Sequence, residues 1–202
     1  FACQDMEHGR EMWLTDGTPE GTRLHFDPMP GPVNSPPHPL LADKDRSYLF
    51  GKTPDGKGLF TADRNGVLSP VLLPLPEDSS PSHYPFFSAR SFLLGNRAYF
   101  FNGEGDLWKS DGTPAGTNEE EGGRLPTTKT PVRVTVVSGR ALIDVVDSIT
   151  QAAELWVWSP GSGPEKLISF PHADYPSFDE TETSEGLLFG LRSGSLFVSD
   201  GT

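Results

Sequence analysis

Short apolar runs alternate with turn-forming residues along the chain. His38 to Ala42, Arg46 to Phe50, Gly58 to Ala62 and Val67 to Leu73 form one series. Phe86 to Leu94, Arg97 to Phe101 and Asp106 to Ser110 form a second, followed by a polar stretch. Val132 to Val137, Arg140 to Val146, Glu154 to Trp158 and Glu165 to Ser169 form a third. Runs this short, rich in Val, Phe, Leu and Tyr and separated by Asp-Gly, Asn-Gly or Pro-Asp-Gly, read as strands joined by hairpin turns. No segment carries helical periodicity. The expected class is all-β.

Two markers keep one beat. Large aromatics fall at Trp13, Phe60, Trp108, Trp156 and Phe197, in steps of 47, 48, 48 and 41 residues. Three residues after them come Asp16, Asp63, Asp111 and Asp200, with Ser159 in the remaining repeat. The second marker is Pro39, Pro85, Pro131 and Pro176, in steps of 46, 46 and 45 residues, each opening an apolar stretch. Four short antiparallel strands at a period of about 40–50 residues predict a β-propeller of four-stranded blades. One such sheet cannot cover both of its faces, whereas stacking sheets around an axis buries both. The proline is expected on an edge strand, where a missing N–H costs no ladder bond. The expected units are 1–27 (partial), 38–73, 84–121, 130–169 and 176–202 (partial), one propeller domain with about four to five blades' worth visible. A β-sandwich or two small β-domains is the competing reading. The chain opens on Phe1 without a signal-like stretch and ends on Asp200-Gly201-Thr202, a turn. A fragment of a longer polypeptide, with further blades in a larger ring, is expected.

The segments Gly9-Arg10-Glu11-Met12-Trp13-Leu14-Thr15-Asp16-Gly17-Thr18-Pro19-Glu20-Gly21-Thr22 and Asp106-Leu107-Trp108-Lys109-Ser110-Asp111-Gly112-Thr113-Pro114-Ala115-Gly116-Thr117 resemble the bacterial ELWxxDGT repeat, echoed at Ser195 to Thr202. The pattern departs at Phe60 to Gly66 and at Trp156 to Gly163. The resemblance implies propeller-like repeats in exported or surface-associated bacterial proteins, an extracellular or cell-surface location, and no catalytic residues.

Charge narrows the partners. Among 202 residues, 16 Lys and Arg face 28 Asp and Glu, a net charge of −12. That disfavours nucleic acid and an anionic membrane surface, and no apolar run reaches the roughly 18 residues of a membrane span. The one cysteine, Cys3, allows no intrachain disulfide and reads as a small apolar filler rather than a nucleophile.

The recurring aromatics could stack sugars, but inter-blade packing is the simpler use of large rings at this spacing. Asp16, Asp63, Asp111 and Asp200 could ligate metal, but a carboxylate beside Gly-Thr or Asn-Gly more simply fixes a turn through backbone N–H groups. Asp43 and Asp45 come nearest to a Ca²⁺ loop, interrupted by Lys44 and Arg46. Glu119, Glu120 and Glu121 read as a solvated, poorly packed strand. No HExxH pair, nucleophile elbow, phosphate loop or Cys/His cluster is present, so no cofactor, metal or catalytic residue is expected. The best binding candidates are His38, His83, Tyr84, His172 and Tyr175. The blade-to-blade loops would bring them to the rim of the channel. A non-catalytic scaffold for protein partners or further copies is the leading expectation. A lectin-like glycan-binding propeller and a hydrolase with a channel-mouth site are the alternatives.

Overall fold

The computed structural model describes residues 1–27, 29–32, 38–54, 56–72, 90–102, 104–170, 176–183, 186–191 and 196–199. Five antiparallel sheets follow one another along the chain. The first is β1 (Ala2–Asp5), β2 (Gly9–Leu14) and β3 (Arg23–Phe26). The second is β4 (His38–Ala42), β5 (Arg46–Thr53), β6 (Gly56–Asp63) and β7 (Leu68–Leu72). The third is β8 (Ser91–Leu94), β9 (Arg97–Phe101), β10 (Leu107–Ser110) and β11 (Asn118–Glu119). The fourth is β12 (Lys129–Val137), β13 (Arg140–Asp147), β14 (Ala153–Trp158) and β15 (Glu165–Phe170), and the fifth is β16 (Pro176–Thr183), β17 (Gly186–Leu191) and β18 (Leu196–Ser199). Strands neighbour one another in chain order, and no α-helix occurs among the described residues. The three complete sheets match the expected strands closely; Pro85 and most of the run from Phe86 lie outside the described residues.

The prolines do what an edge strand permits. Pro39 in β4, Pro131 in β12 and Pro176 in β16 all sit on the first, edge strand of a sheet. In the second and fourth sheets the register slips just after the proline, between Pro39 and Leu41 and between Pro131 and Arg133. On an edge strand the proline nitrogen can face away from the ladder, so its missing N–H costs no ladder bond. The β12–β13 hairpin turns on Ser138 and Gly139, both at positive φ, which matches the twist of the strands it joins.

Burial follows strand position. All six residues of β14 are buried, as are the cores of β5, β6, β9 and β13. The outer strand β15 is mostly exposed, and so is β11. Middle strands buried on both faces need cover on either side, which a lone sheet does not supply.

Two compact units divide the chain: Phe1–Ser82 with Gly112–Thr117, and His83–Asp111 with Asn118–Thr202. In the second unit, one face of the fourth sheet packs on the third. Phe92, Tyr99, Phe101 and Leu107 meet Ile143, Val145, Trp156 and Trp158 in one cluster. Phe92 stacks on Tyr99 at 5.2 Å, and both rings approach Trp158. The opposite face of the fourth sheet carries Leu142, Leu155, Val157 and Phe170. The segment joining β11 to β12 is packed down too: Leu125 is buried and its N–H donates to the Gly105 carbonyl at 2.9 Å. In the first unit, the Arg23 guanidinium of β3 donates to the Asn65 carbonyl in the β6–β7 turn at 3.1 Å.

Candidate functional site

The recurring aromatics are packing residues. Phe60 is 5 % exposed and Trp156 is 8 % exposed inside the inter-sheet cluster. Trp13 and Trp108 are half-buried, and Phe197 lies on β18. The recurring aspartates are turn residues. Asp16 Oδ1 accepts the Thr18 N–H (3.0 Å) and hydroxyl (2.8 Å); Asp63 Oδ1 accepts the Asn65 and Val67 N–H groups, both at 2.8 Å. These bonds hold both carboxyls below the ordinary range, the Thr18 hydroxyl counting most for Asp16 and the Val67 N–H for Asp63. Asp111 is exposed at the start of its loop, and Asp200 lies outside the described residues.

The structure also explains the second Gly-Thr of the repeat. Gly21 N–H donates to Thr18 Oγ1 (3.0 Å), and the Thr22 hydroxyl donates to the Thr18 carbonyl (2.6 Å). Gly116 and Thr117 make the same two bonds to Thr113, at 3.1 and 2.7 Å. A Cβ on Gly21 would fall 2.0 Å from the Asp16 carboxylate, so only glycine closes the loop without displacing it.

Two sequence readings change. Cys3 is exposed on β1 rather than filling the core. The acidic run is only partly solvated: Glu119 is exposed in β11, but Glu120 is largely covered and pairs with Lys109 at 2.8 Å. Asp43 does not gather oxygens for a cation; its Oδ1 accepts the Asp45 and Arg46 N–H groups at 2.7 and 2.8 Å. Of the rim candidates, His38 opens β4, half-buried, and burial pushes its imidazole below the ordinary value, so it is neutral at pH 7. His83, Tyr84, His172 and Tyr175 lie outside the described residues.

What sequence reasoning missed is a polar cluster at the β13–β14 loop end of the fourth sheet. Lys129 Nζ bonds Asp147 Oδ2 and Glu154 Oε2 (2.9 Å), with all three side chains nearly covered. Glu154 also accepts the Trp156 indole N–H at 2.8 Å, Ser169 Oγ at 3.3 Å and Lys166 Nζ at 3.5 Å. Asp147 Oδ1 meanwhile accepts the Ile149 and Thr150 N–H groups, both at 2.8 Å. The Lys129 bond first, then the Thr150 N–H, holds the Asp147 carboxyl well below the ordinary range. Burial pushes Glu154 up, but the Lys129 and Trp156 bonds outweigh it and the net shift is down. Burial likewise disfavours the Lys129 ammonium, and its two carboxylates more than restore it.

The same places recur. The acid two residues before the aromatic is Glu11, Asp106 and Glu154, with Gly58 in the second sheet. Asp106 pairs with Arg124 at 3.0 Å and accepts from Asn102 Nδ2 at 2.9 Å. The loop before that acid is capped by Asp5, Asn102 or Asp147, each accepting two backbone N–H groups. Shallow basins accompany these features: about 230 Å³ beside Asp45, Arg46, Thr61 and Asp63, and about 330 Å³ beside Asp106, Glu119, Glu120, Glu121 and Arg124. No grouping of His, Cys, Asp and Glu suited to a metal occurs among the described residues. Chemically, the arrangement locks loops and sheet ends.

No family model matches the sequence, and no curated protein matches it. Among solved structures, the chain resembles YCF48 from Cyanidioschyzon merolae at 16% identity and a TM-score of 0.47, over 79% of this chain and 52% of that one. It resembles a structure from a study of two prolyl endopeptidases and their inter-domain dynamics at 14% identity and a TM-score of 0.52, over 92% of this chain and 28% of that one. The chain thus spans about half of the first and just over a quarter of the second. The sheets are β-propeller blades. At this identity the likeness speaks for the fold alone.

Proposed function

We propose that this chain is a non-catalytic, exported scaffold of the ELWxxDGT-repeat type that holds protein partners or further copies of itself. The observation that carries the reading is where the motif's polar groups are used. Asp16, Asp63, Asp106, Asp147 and Glu154 bond to turns, indole and basic side chains of the protein itself. A motif whose donors and acceptors serve construction leaves recognition to the loops. Two loop tips are suited to that: Met6, 96 % exposed between β1 and β2, and Ile149, 76 % exposed in the corresponding turn between β13 and β14. The export component rests on the repeat resemblance.

Light scattering on the full chain across a concentration series tests assembly, beside a glycan array. The expected result is a mass that rises with concentration and falls for Ile149→Asp, with no glycan signal. A monomer at every concentration together with glycan binding lost in Tyr84→Ala or Tyr175→Ala would overturn the scaffold in favour of a lectin.

A further inference from the structure

The contact between the first two blades holds a histidine where a charge has nowhere to go. β3 carries Arg23 and His25 towards the β6–β7 turn of the second blade, inside one compact unit. His25 is the extra residue where β3 slips register against β2, between the pairs Met12–Phe26 and Trp13–Leu24. A bulge of this kind re-aims a side chain. Arg23 Nη2 donates to the Asn65 carbonyl at 3.1 Å. The half-buried His25 ring lies against the next residue: a Cβ on Gly66 would fall 2.8 Å from His25 Nδ1 and 3.3 Å from Arg23 Nη1. Gly66, at φ +81°, supplies both the turn and the room.

His25 Nδ1 is buried and has no hydrogen-bond partner among the described residues. A neutral ring tolerates this by carrying its proton on Nε2. The imidazolium has no such choice, because both nitrogens then carry hydrogen. The hydrogen on Nδ1 would meet the Gly66 backbone with no acceptor, and the charge would sit beside the Arg23 guanidinium. Besides Arg23, the charged groups that face the ring are the Phe1 amino group and, from β6, Asp63. Asp63 Oδ1 is already committed to the Asn65 and Val67 N–H groups. Arg64, in the same turn, is directed to the Lys44 carbonyl. Burial first, then Arg23, holds the imidazole below the ordinary histidine value against the pull of Asp63.

The neighbouring blade contact uses a group that does not titrate. A Cβ on Gly112, in the third blade's motif loop, would overlap Nη1 of Arg46 in the second blade. A guanidinium keeps its charge at every accessible pH, whereas an imidazole changes charge near neutrality.

We propose that the contact between β3 and the β6–β7 turn is an acid-sensitive latch between the first two blades, closed while His25 is neutral and opened by its protonation. The folded value lies below the unfolded one, so the contact is at full strength above about pH 6.5 and weakens as the pH falls below it. The latch is independent of the scaffold reading.

Imidazole NMR and backbone hydrogen exchange on the full chain, between pH 7 and 5, test it. His25 should titrate below the ordinary histidine value while His8, bonded to Asp5, titrates above it. After correction for intrinsic rates, protection in β3 and at Gly66 should fall several-fold across that range. His25→Gln and His25→Phe, which cannot take the proton, should each remove the fall. His38→Gln, at another histidine of this unit held low by burial, should leave it in place. The titration of the parent chain stands should a variant fail to fold. An ordinary or raised His25 value, level protection in the parent chain, or a fall that survives both His25 variants would each overturn the latch.

Discussion

The second and fourth blades each keep half of the repeat. The second has Asp63 in its β6–β7 turn but Gly58 where the acid would stand. The fourth has Glu154 but Ser159 where the aspartate would stand, and its turn closes through Ser162 instead: the hydroxyl donates to the Ser159 carbonyl at 2.8 Å. Both are four-stranded sheets whose two middle strands pair in a continuous ladder. The two halves are therefore separate devices at opposite ends of one strand. The acid locks the loop end where the aromatic strand begins; the Asp-Gly-Thr turn locks the end where it finishes.

The largest effect is expected where the fourth blade uses its acid. Lys129→Met leaves Glu154 buried without its closest cation and should cost about 3 kcal/mol, as breaking one side of a buried pair does. Urea unfolding followed by tryptophan fluorescence measures it. Lys52→Met, on the exposed part of β5 in the blade that lacks the acid, should move stability by less than about 0.5 kcal/mol. Equal losses would show that the acid lock is not what distinguishes the blades.

Next in size is a contrast between two indoles. Trp156 N–H donates to Glu154; Trp158, 1 % exposed, has an indole N–H with no hydrogen-bond partner among the described residues. Both changes to Phe shrink the same cluster, so their difference isolates the hydrogen bond. Trp156→Phe should cost about 1–2 kcal/mol more than Trp158→Phe. The opposite order would place the burden on packing alone.

How much of this was legible in the sequence follows from what repeats. The strands, the turn aspartates and the edge prolines recur at one period, and each has a backbone reason to sit where it does. Trp156 and Trp158 share a face because strand side chains alternate, which the pair of indoles already displayed. Lys129 was not legible because its two partners come from two other strands, and the residues at its place in other repeats are Pro37, His83 and Asp174. The one available signal was the acid at Glu11, Asp106 and Glu154, a recurring charge beside a buried aromatic, which requires a compensating group. The rim candidates depended on long inter-blade loops, whose spacing carries no pairing rule.

Acid should separate the blades more gently. Asp147 and Glu154 are both held below the ordinary carboxylate range, so their stabilisation is present above about pH 4 and is lost as the pH falls through the folded-state values. Hydrogen exchange in β13 and β14 should stay flat from pH 7 to 4, after correction for intrinsic rates, and rise below that. In Lys129→Met the sign reverses for Glu154. Burial is then less opposed, the folded carboxyl holds its proton more tightly than the unfolded one, and stability should increase as the pH drops from 7 towards 4. A variant whose pH slope matches the parent's would show that Lys129 does not set the Glu154 charge.

The smallest effect would return the missing half to the fourth blade. Ser159→Asp puts a carboxylate where Asp16 and Asp63 stand, with the Gly161 N–H two residues on, as Thr18 and Asn65 are from theirs. The Ser162 bonds use only the backbone of residue 159, so they survive the change. An exposed turn offers little, about 0.5 kcal/mol, or roughly 1–2 °C in melting temperature for a chain of this size. The diagnostic is local: slower exchange at Gly161 with β13 unaffected. If protection spread to the Lys129 cluster instead, the two ends of the strand would be coupled, and the acid and the turn would be one device rather than two.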